Sequence, residues 1–133
     1  MIENWIVPCN PKYYDVVDHL SKNDYIVWRK VSAIHKDDMV YLYIALPYQE
    51  IKFRCVVVDD DVDEETVAKN AYAIKKTDNG RKSHYLLLKK EYVYEDGTLP
   101  LAKLKENGLG QTQTQARTDR RLQAFIDKIN KEL

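Results

Sequence analysis

Three histidines, two cysteines and one dense acidic run are the residues through which this 133-residue chain could do chemistry. His19, His35 and His84 stand apart, and no spacing joins one to another as metal ligands or to a serine and a carboxylate as a triad. His19 falls near Asp15 and Asp18 on a helix surface and His35 in a turn, so solvated imidazoles are expected at both. Cys9 precedes Asn10-Pro11. A helix beginning at Pro11 would stabilise a thiolate at Cys9 through its N-terminus. The alternative is a small buried residue at a strand end. The run Asp59-Asp60-Asp61-Val62-Asp63-Glu64-Glu65 gathers carboxylates but lacks the glycine and ligand spacing of a calcium loop, and is expected to serve the dipole of a following helix. GxGxxG, a phosphate loop, HExxH and GxSxG are all missing from the sequence. No catalysis, no metal and no cofactor are expected.

Composition narrows the class. Ten tyrosines and two tryptophans against two phenylalanines favour side chains with an apolar face and a polar edge, suited to half-buried sheets and stacking pockets. Lys and Arg total 21 and so do Asp and Glu, but residues 1–66 carry a balance of −6 and residues 67–133 one of +6. A polyanion would therefore meet a bipolar molecule rather than a uniformly basic one. The basic excess lies in Lys75-Lys76, Arg81-Lys82, Lys89-Lys90, Lys103, Lys105, Arg117, Arg120 and Arg121. No apolar run reaches the length of a membrane helix, and Met1 to Trp5 carries neither a basic patch nor a small-residue cleavage site. Two cysteines without a CxxC pair fit reduced thiols. A cytoplasmic protein with no membrane contact is expected.

These residues must be positioned by short elements. Asn4 to Pro8 reads as a buried strand, and Asn10-Pro11 as the N-cap and first residue of a helix through Tyr13, Tyr14, Val17 and Leu20. Tyr25 to Arg29 is a second strand and Met39 to Leu46 a third, with Tyr41 and Tyr43 on one face and Val40, Leu42 and Ile44 on the other. Ile51 to Val58 returns with Lys52 and Arg54 outward. A short helix over about 63–71, a turn at Asp78-Asn79-Gly80 and a strand from His84 to Tyr94 follow. Leu99 to Leu104 is a short helix, 108–117 an amide-rich loop, and about 118–131 a final amphipathic helix carrying Leu122, Phe125, Ile126 and Ile129. The expectation is a single α+β domain over 1–133, built on a small, mostly antiparallel barrel ringed by short helices.

Several segments together resemble the EVE domain of the PUA-like superfamily: Trp5-Ile6-Val7-Pro8-Cys9-Asn10-Pro11, Ile26-Val27-Trp28-Arg29, Asp38-Met39-Val40-Tyr41-Leu42-Tyr43, Ile51-Lys52-Phe53-Arg54-Cys55, and the helix from Leu99 to Leu104. The resemblance covers nearly the whole chain and is closest to EVE-like modules N-terminal to bacterial HNH-type nucleases. Asp37 stands where that family usually has glycine, and the nuclease segment is missing, so cleavage does not carry over.

The resemblance implies a reader of modified bases, modified cytosine in DNA foremost, acting on DNA or RNA alone or with an effector nuclease in trans. A base lifted from its stack needs an aromatic wall, groups for its Watson–Crick edge and cations for the backbone. Trp28 would supply the wall, with Tyr43 or Tyr41 opposite. Cys9, Asn10 and the backbone around Pro8 to Pro11 would line one side. The amide-rich loop from Gln111 to Gln115, Gln111 and Gln113 foremost, would read polar edges, and Arg29, Lys30 and Arg117 would meet phosphates. Two other readings stand beside it. The related ASCH domains include enzymes that remove acyl groups from modified cytidine, for which Lys30, Glu50 or Cys9 would be candidates. An interaction module would use the acidic run and the stripe of the last helix.

Overall fold

The computed structural model describes residues 2–63 and 84–133. The expected helix over about 63–71, apart from Asp63 itself, lies outside them, as do the Asp78-Asn79-Gly80 turn and the basic residues Lys75, Lys76, Arg81 and Lys82.

The described chain runs β1 (Asn4–Cys9), α1 (Val16–Lys22), β2 (Tyr25–Arg29), β3 (Met39–Ile44), β4 (Glu50–Val62), β5 (Tyr85–Val93), α2 (Leu101–Glu106), β6 (Ala116–Arg117) and α3 (Arg120–Lys131). The strands form one sheet in the order β2-β5-β4-β3-β1-β6. β1 and β3 are parallel, and the other pairings are antiparallel. The class is α+β, as expected. Among the described residues the sheet is nevertheless open: its backbone ladders end at β2 on one side and β6 on the other, so strand pairing there does not form a closed barrel.

Continuous apolar sequence in β3 reflects burial on both faces. Val40, Leu42 and Ile44 join Trp5, Val7, Cys9, Ile26, Phe53, Cys55, Val57, Leu86 and Leu88 in one cluster, with Val16 and Leu20 of α1 over it. Tyr41 and Tyr43 face the other way, into a second cluster with Ile6, Ile51, Leu104, Leu122 and Ile126 under α2 and α3. Leu122 and Ile126 are 3% and 0% exposed, so the amphipathic stripe of the last helix is consumed within the chain.

Several local expectations are corrected. Asn10 caps a turn rather than α1: its Oδ1 accepts from the Lys12 N–H, while Asp15 caps the helix by accepting from the Asp18 N–H. Three turn residues after Asn10 bond back to it, which delays the helix to Val16. Asp59 and Val62 pair with Leu87 and Tyr85, so the start of the acidic run extends β4 instead of capping a helix. Lys52 is buried and reaches Asp96. His19 is also buried. One ring nitrogen meets the Tyr14 hydroxyl and the other lies 2.8 Å from the Tyr25 carbonyl, tying α1 to the start of β2.

Asp38 anchors the β1–β3 end of the sheet. It is 2% exposed, and its carboxylate accepts from the Glu3 and His35 N–H groups and the Trp5 indole. Desolvation opposes its charge, but these three donors outweigh that cost and hold its pKa below the ordinary Asp range. Asp37, just before it, adopts φ +73°, the left-handed conformation in which glycine meets no Cβ penalty.

Candidate functional site

The open seam between β2 and β6 is where the sheet exposes polar groups beside an aromatic ring. Trp28 leaves β2 half-buried, its indole packed on the first core cluster. Pro8 sits near the end of β1, where a missing N–H is tolerated because β6 pairs only with Trp5 and Ile6. Between them lies a cleft of about 230 Å³ lined by Pro8, Trp28, Arg29, Val31, Gln113, Thr114 and Gln115.

Amide side chains hold the strap from Gln111 to Gln115 in place. Gln111 Oε1 accepts from the Gln113 N–H at 2.7 Å and the Thr114 N–H at 3.1 Å, folding the strap on itself. Gln115 crosses the seam: its Nε2 donates to the Arg29 carbonyl at 2.8 Å, and its Oε1 accepts from the Val31 N–H at 3.3 Å. The Ser32 hydroxyl donates to the Gln115 carbonyl at 3.4 Å. Gln113 is exposed, and its side-chain amide makes no hydrogen bond among the described residues. Arg29 is exposed at the same cleft. The arrangement offers a flat apolar wall, a free amide donor and acceptor, and one cation.

Trp28, Arg29, Pro8 and the strap residues Gln113 to Gln115 are thus brought together, and the other expected residues are not. Tyr41 and Tyr43 are each 2% exposed and lie in the second cluster, across the sheet from the indole cluster. The Tyr41 hydroxyl accepts from Gln123 Nε2, while burial pushes the Tyr43 phenol up and Thr112 bonds it. Neither ring stands opposite Trp28, because strand alternation sends β3 residues 41 and 43 outward when 40, 42 and 44 face inward. Pro8 is the β1 residue that shares the cleft with Trp28. Cys9 is 1% exposed, pointing into the first cluster, and burial, with Cys55 nearby, raises its thiol well above the ordinary value. Both effects favour the protonated, enclosed thiol over a thiolate. Asn10 is exposed and engaged in its turn.

Lys30 and Arg117 belong to two neighbouring clefts. Lys30 Nζ donates to the Asp60 carbonyl and lines a larger hollow of about 570 Å³ with Val31, Ser32, His35, Asp61 and His84. There His84 Nδ1 lies 2.7 Å from Asp61 Oδ1. Arg117 stacks over the Trp5 ring at 5.6 Å and borders a hollow of about 240 Å³ formed by Gly108 to Gln111 and Asp119. Arg121, at the start of α3, donates to the Glu106 carbonyl at the end of α2, which accounts for an arginine in an unfavourable place on its own helix dipole. Glu50 is buried and accepts from the Gly97 N–H. No hydrogen bond or ion pair joins Cys9, Lys30 and Glu50 among the described residues. Nor does any group of three or more His, Cys, Asp or Glu there suit a metal ion.

Of the residues lining the cleft beside Trp28, Val31 is the one that the sequence reading leaves out; the segment around Pro8 and the loop from Gln111 to Gln115 are both among the expected pocket walls.

No protein-family model matches the sequence, and no curated protein matches it. Solved structures do. A point mutant of the ASCH protein from Zymomonas mobilis superposes with a TM-score of 0.73 at 11% identity, covering 95% of this chain and 97% of that one. A hypothetical protein from Leishmania major gives 0.69 at 18% identity, over 99% and 96%. A protein from Pseudomonas putida gives 0.64 at 13%, over 95% and 98%. These likenesses show that the chain shares the fold of the Zymomonas mobilis ASCH protein. Among the described residues, no helix is long and apolar enough to cross a membrane.

Proposed function

We propose that this chain binds nucleic acid by housing one planar base between Trp28 and Pro8, and that it does so without catalysing a reaction. The observation that carries the reading is a half-buried indole in a cleft of about 230 Å³ that also holds an uncommitted amide, Gln113, and an exposed cation, Arg29. An indole face stacks on any base, and such stacking contributes about 1–3 kcal/mol per base. The Gln113 amide can pair with a base edge, which supplies choice among bases. Arg29, at the end of β2, is the cation placed for a phosphate at this cleft, while Lys30 lines the neighbouring hollow.

The finer expectation, a modified cytosine in DNA read by an EVE-type module with an effector nuclease in trans, rests on the resemblance of the segments around Trp5, Trp28 and Asp38. It sets the first ligand to try. The ASCH likeness in fold makes a nucleoside-processing reading the natural competitor. The wide separation of roles among Cys9, Lys30 and Glu50 favours binding over that chemistry.

The test is a panel of modified and unmodified DNA and RNA oligonucleotides, with affinity measured at two salt concentrations and acylated nucleosides assayed for turnover. Preference for one base or modification supports the reading. Equal, purely salt-dependent binding to every oligonucleotide, or turnover of a nucleoside, overturns it.

A further inference from the structure

We infer that Gln115 is the positioning residue of the base cleft: its side-chain amide replaces the missing strand pairing between β2 and β6 and fixes the separation of the Trp28 and Pro8 walls. The inference rests on the base-binding reading for its ligand but not for its geometry. An amide side chain carries the same donor and acceptor as a peptide group. Here both are used as a ladder would use them, Nε2 donating to the Arg29 carbonyl and Oε1 accepting from the Val31 N–H. These are the groups just beyond Trp28, at the end of β2 where pairing to β5 stops at Arg29 and Tyr85. The Gln115 backbone enters β6 at the next residue, and β6 is paired to β1 through Ile6 and Trp5. One side chain therefore connects the first and last strands of an otherwise open sheet, across more than 80 residues of sequence.

Position follows from that connection. Trp28 lies on β2 and Pro8 on β1, and Gln115 is the residue bonded to the one strand while continuing into the partner of the other. Among the described residues, backbone strand pairing joins the two walls only the long way through β5, β4 and β3. The direct hydrogen bonds across the seam are those of Gln115, its carbonyl taken by the Ser32 hydroxyl, beside side-chain packing in the first core cluster. A stacking slot works only at ring-to-ring spacing, so a loosened seam weakens base selection more than it weakens the fold. Gln113, which lines the cleft, is carried on the same strap and set by Gln111.

Two substitutions test this. Gln115→Met keeps the length and removes both hydrogen bonds. Gln115→Glu keeps the acceptor for Val31 but loses the donor to Arg29 until the carboxyl is protonated, ordinarily near pH ~4.3. Arg29 lines the same cleft and Arg117 follows two residues on, and both cations favour the ionised form. The readouts are the Trp28 indole N–H resonance, assigned against Trp28→Phe, and exchange of the Val31 amide, both without ligand. The expected result is a displaced indole resonance in both variants at neutral pH. Lowering the pH through the carboxyl range should return only the Glu variant to the wild-type position. Val31 exchange should rise at least tenfold in the Met variant, and preference among oligonucleotides should fall in both. An unchanged indole resonance and unchanged Val31 exchange in both variants overturn the clasp, whatever binds. A clasp that behaves as expected in a protein that binds no oligonucleotide supports the geometry and instead removes the base-binding reading.

Discussion

Asp38 shows how one carboxylate organises the start of β1 and β3. Its three donors, the Glu3 and His35 N–H groups and the Trp5 indole, all point at it, and none can be satisfied by an amide nitrogen. Asp38→Asn should therefore cost about 1–3 kcal/mol at neutral pH, because it turns an NH2 toward at least one buried donor. The pH dependence has a definite sign. The folded pKa lies below the unfolded one, so the Asp38 contribution is complete above the unfolded value near 3.9 and is lost as pH falls through the folded value. Denaturant unfolding from pH 6 down to pH 2 should show the wild type losing stability in that acid window and the variant losing less. Asp37 gives the opposite case. Its φ of +73° and exposed side chain mean that Asp37→Gly should stabilise the fold by about 0.5–1 kcal/mol. An unchanged or lower midpoint would show that Asp pays no conformational penalty there. The sequence marked this position as a departure from the glycine usual in EVE-like segments, and the backbone gives the physical reason for the preference.

At the level of elements, what was legible is what local pattern encodes. The alternation in β3 correctly divided Val40, Leu42 and Ile44 from Tyr41 and Tyr43, because a strand has only two faces. The same alternation could not say that both faces are covered, and so left the tyrosines as candidates for a pocket that they do not enter. Only α2 and α3, arriving from sixty to ninety residues later, bury them. Trp28 and Gln113 are candidates by type, and both line one cleft, whose seam between β2 and the strap no local signal predicts. The acidic run reads as a helix cap from its charge, yet tertiary pairing with β5 draws its first part into β4. The last helix illustrates a correct expectation of the element with an open question about its face. Since Leu122 and Ile126 are buried against the second cluster, Leu122→Ala and Ile126→Ala should each destabilise by about 2–5 kcal/mol in denaturant unfolding. Were the stripe an adhesive surface instead, these substitutions would alter association and leave stability within about 0.5 kcal/mol.

Across the whole molecule, equal numbers of acidic and basic residues set what binding can look like. A uniformly basic protein would hold any polyanion through many phosphate contacts, with a steep dependence on salt. Here Arg29, Lys30 and Arg117 lie on three different hollows, and Lys30 and Arg117 already engage the Asp60 carbonyl and the Trp5 ring. The expected slope of log affinity against log salt for a single strand is therefore shallow, between about −0.7 and −2, corresponding to one to three phosphates. Specificity must then come from the cleft, and the cleft depends on one indole. The most direct measurement compares wild type with Trp28→Ala on matched oligonucleotides carrying cytosine or a modified cytosine, with folding of each protein checked by its denaturation midpoint. The expected result is preference for the modified strand in the wild type and, in the folded variant, loss of that preference with affinity weakened by about 1–3 kcal/mol. Equal affinity and equal selectivity in the two proteins would contradict the account.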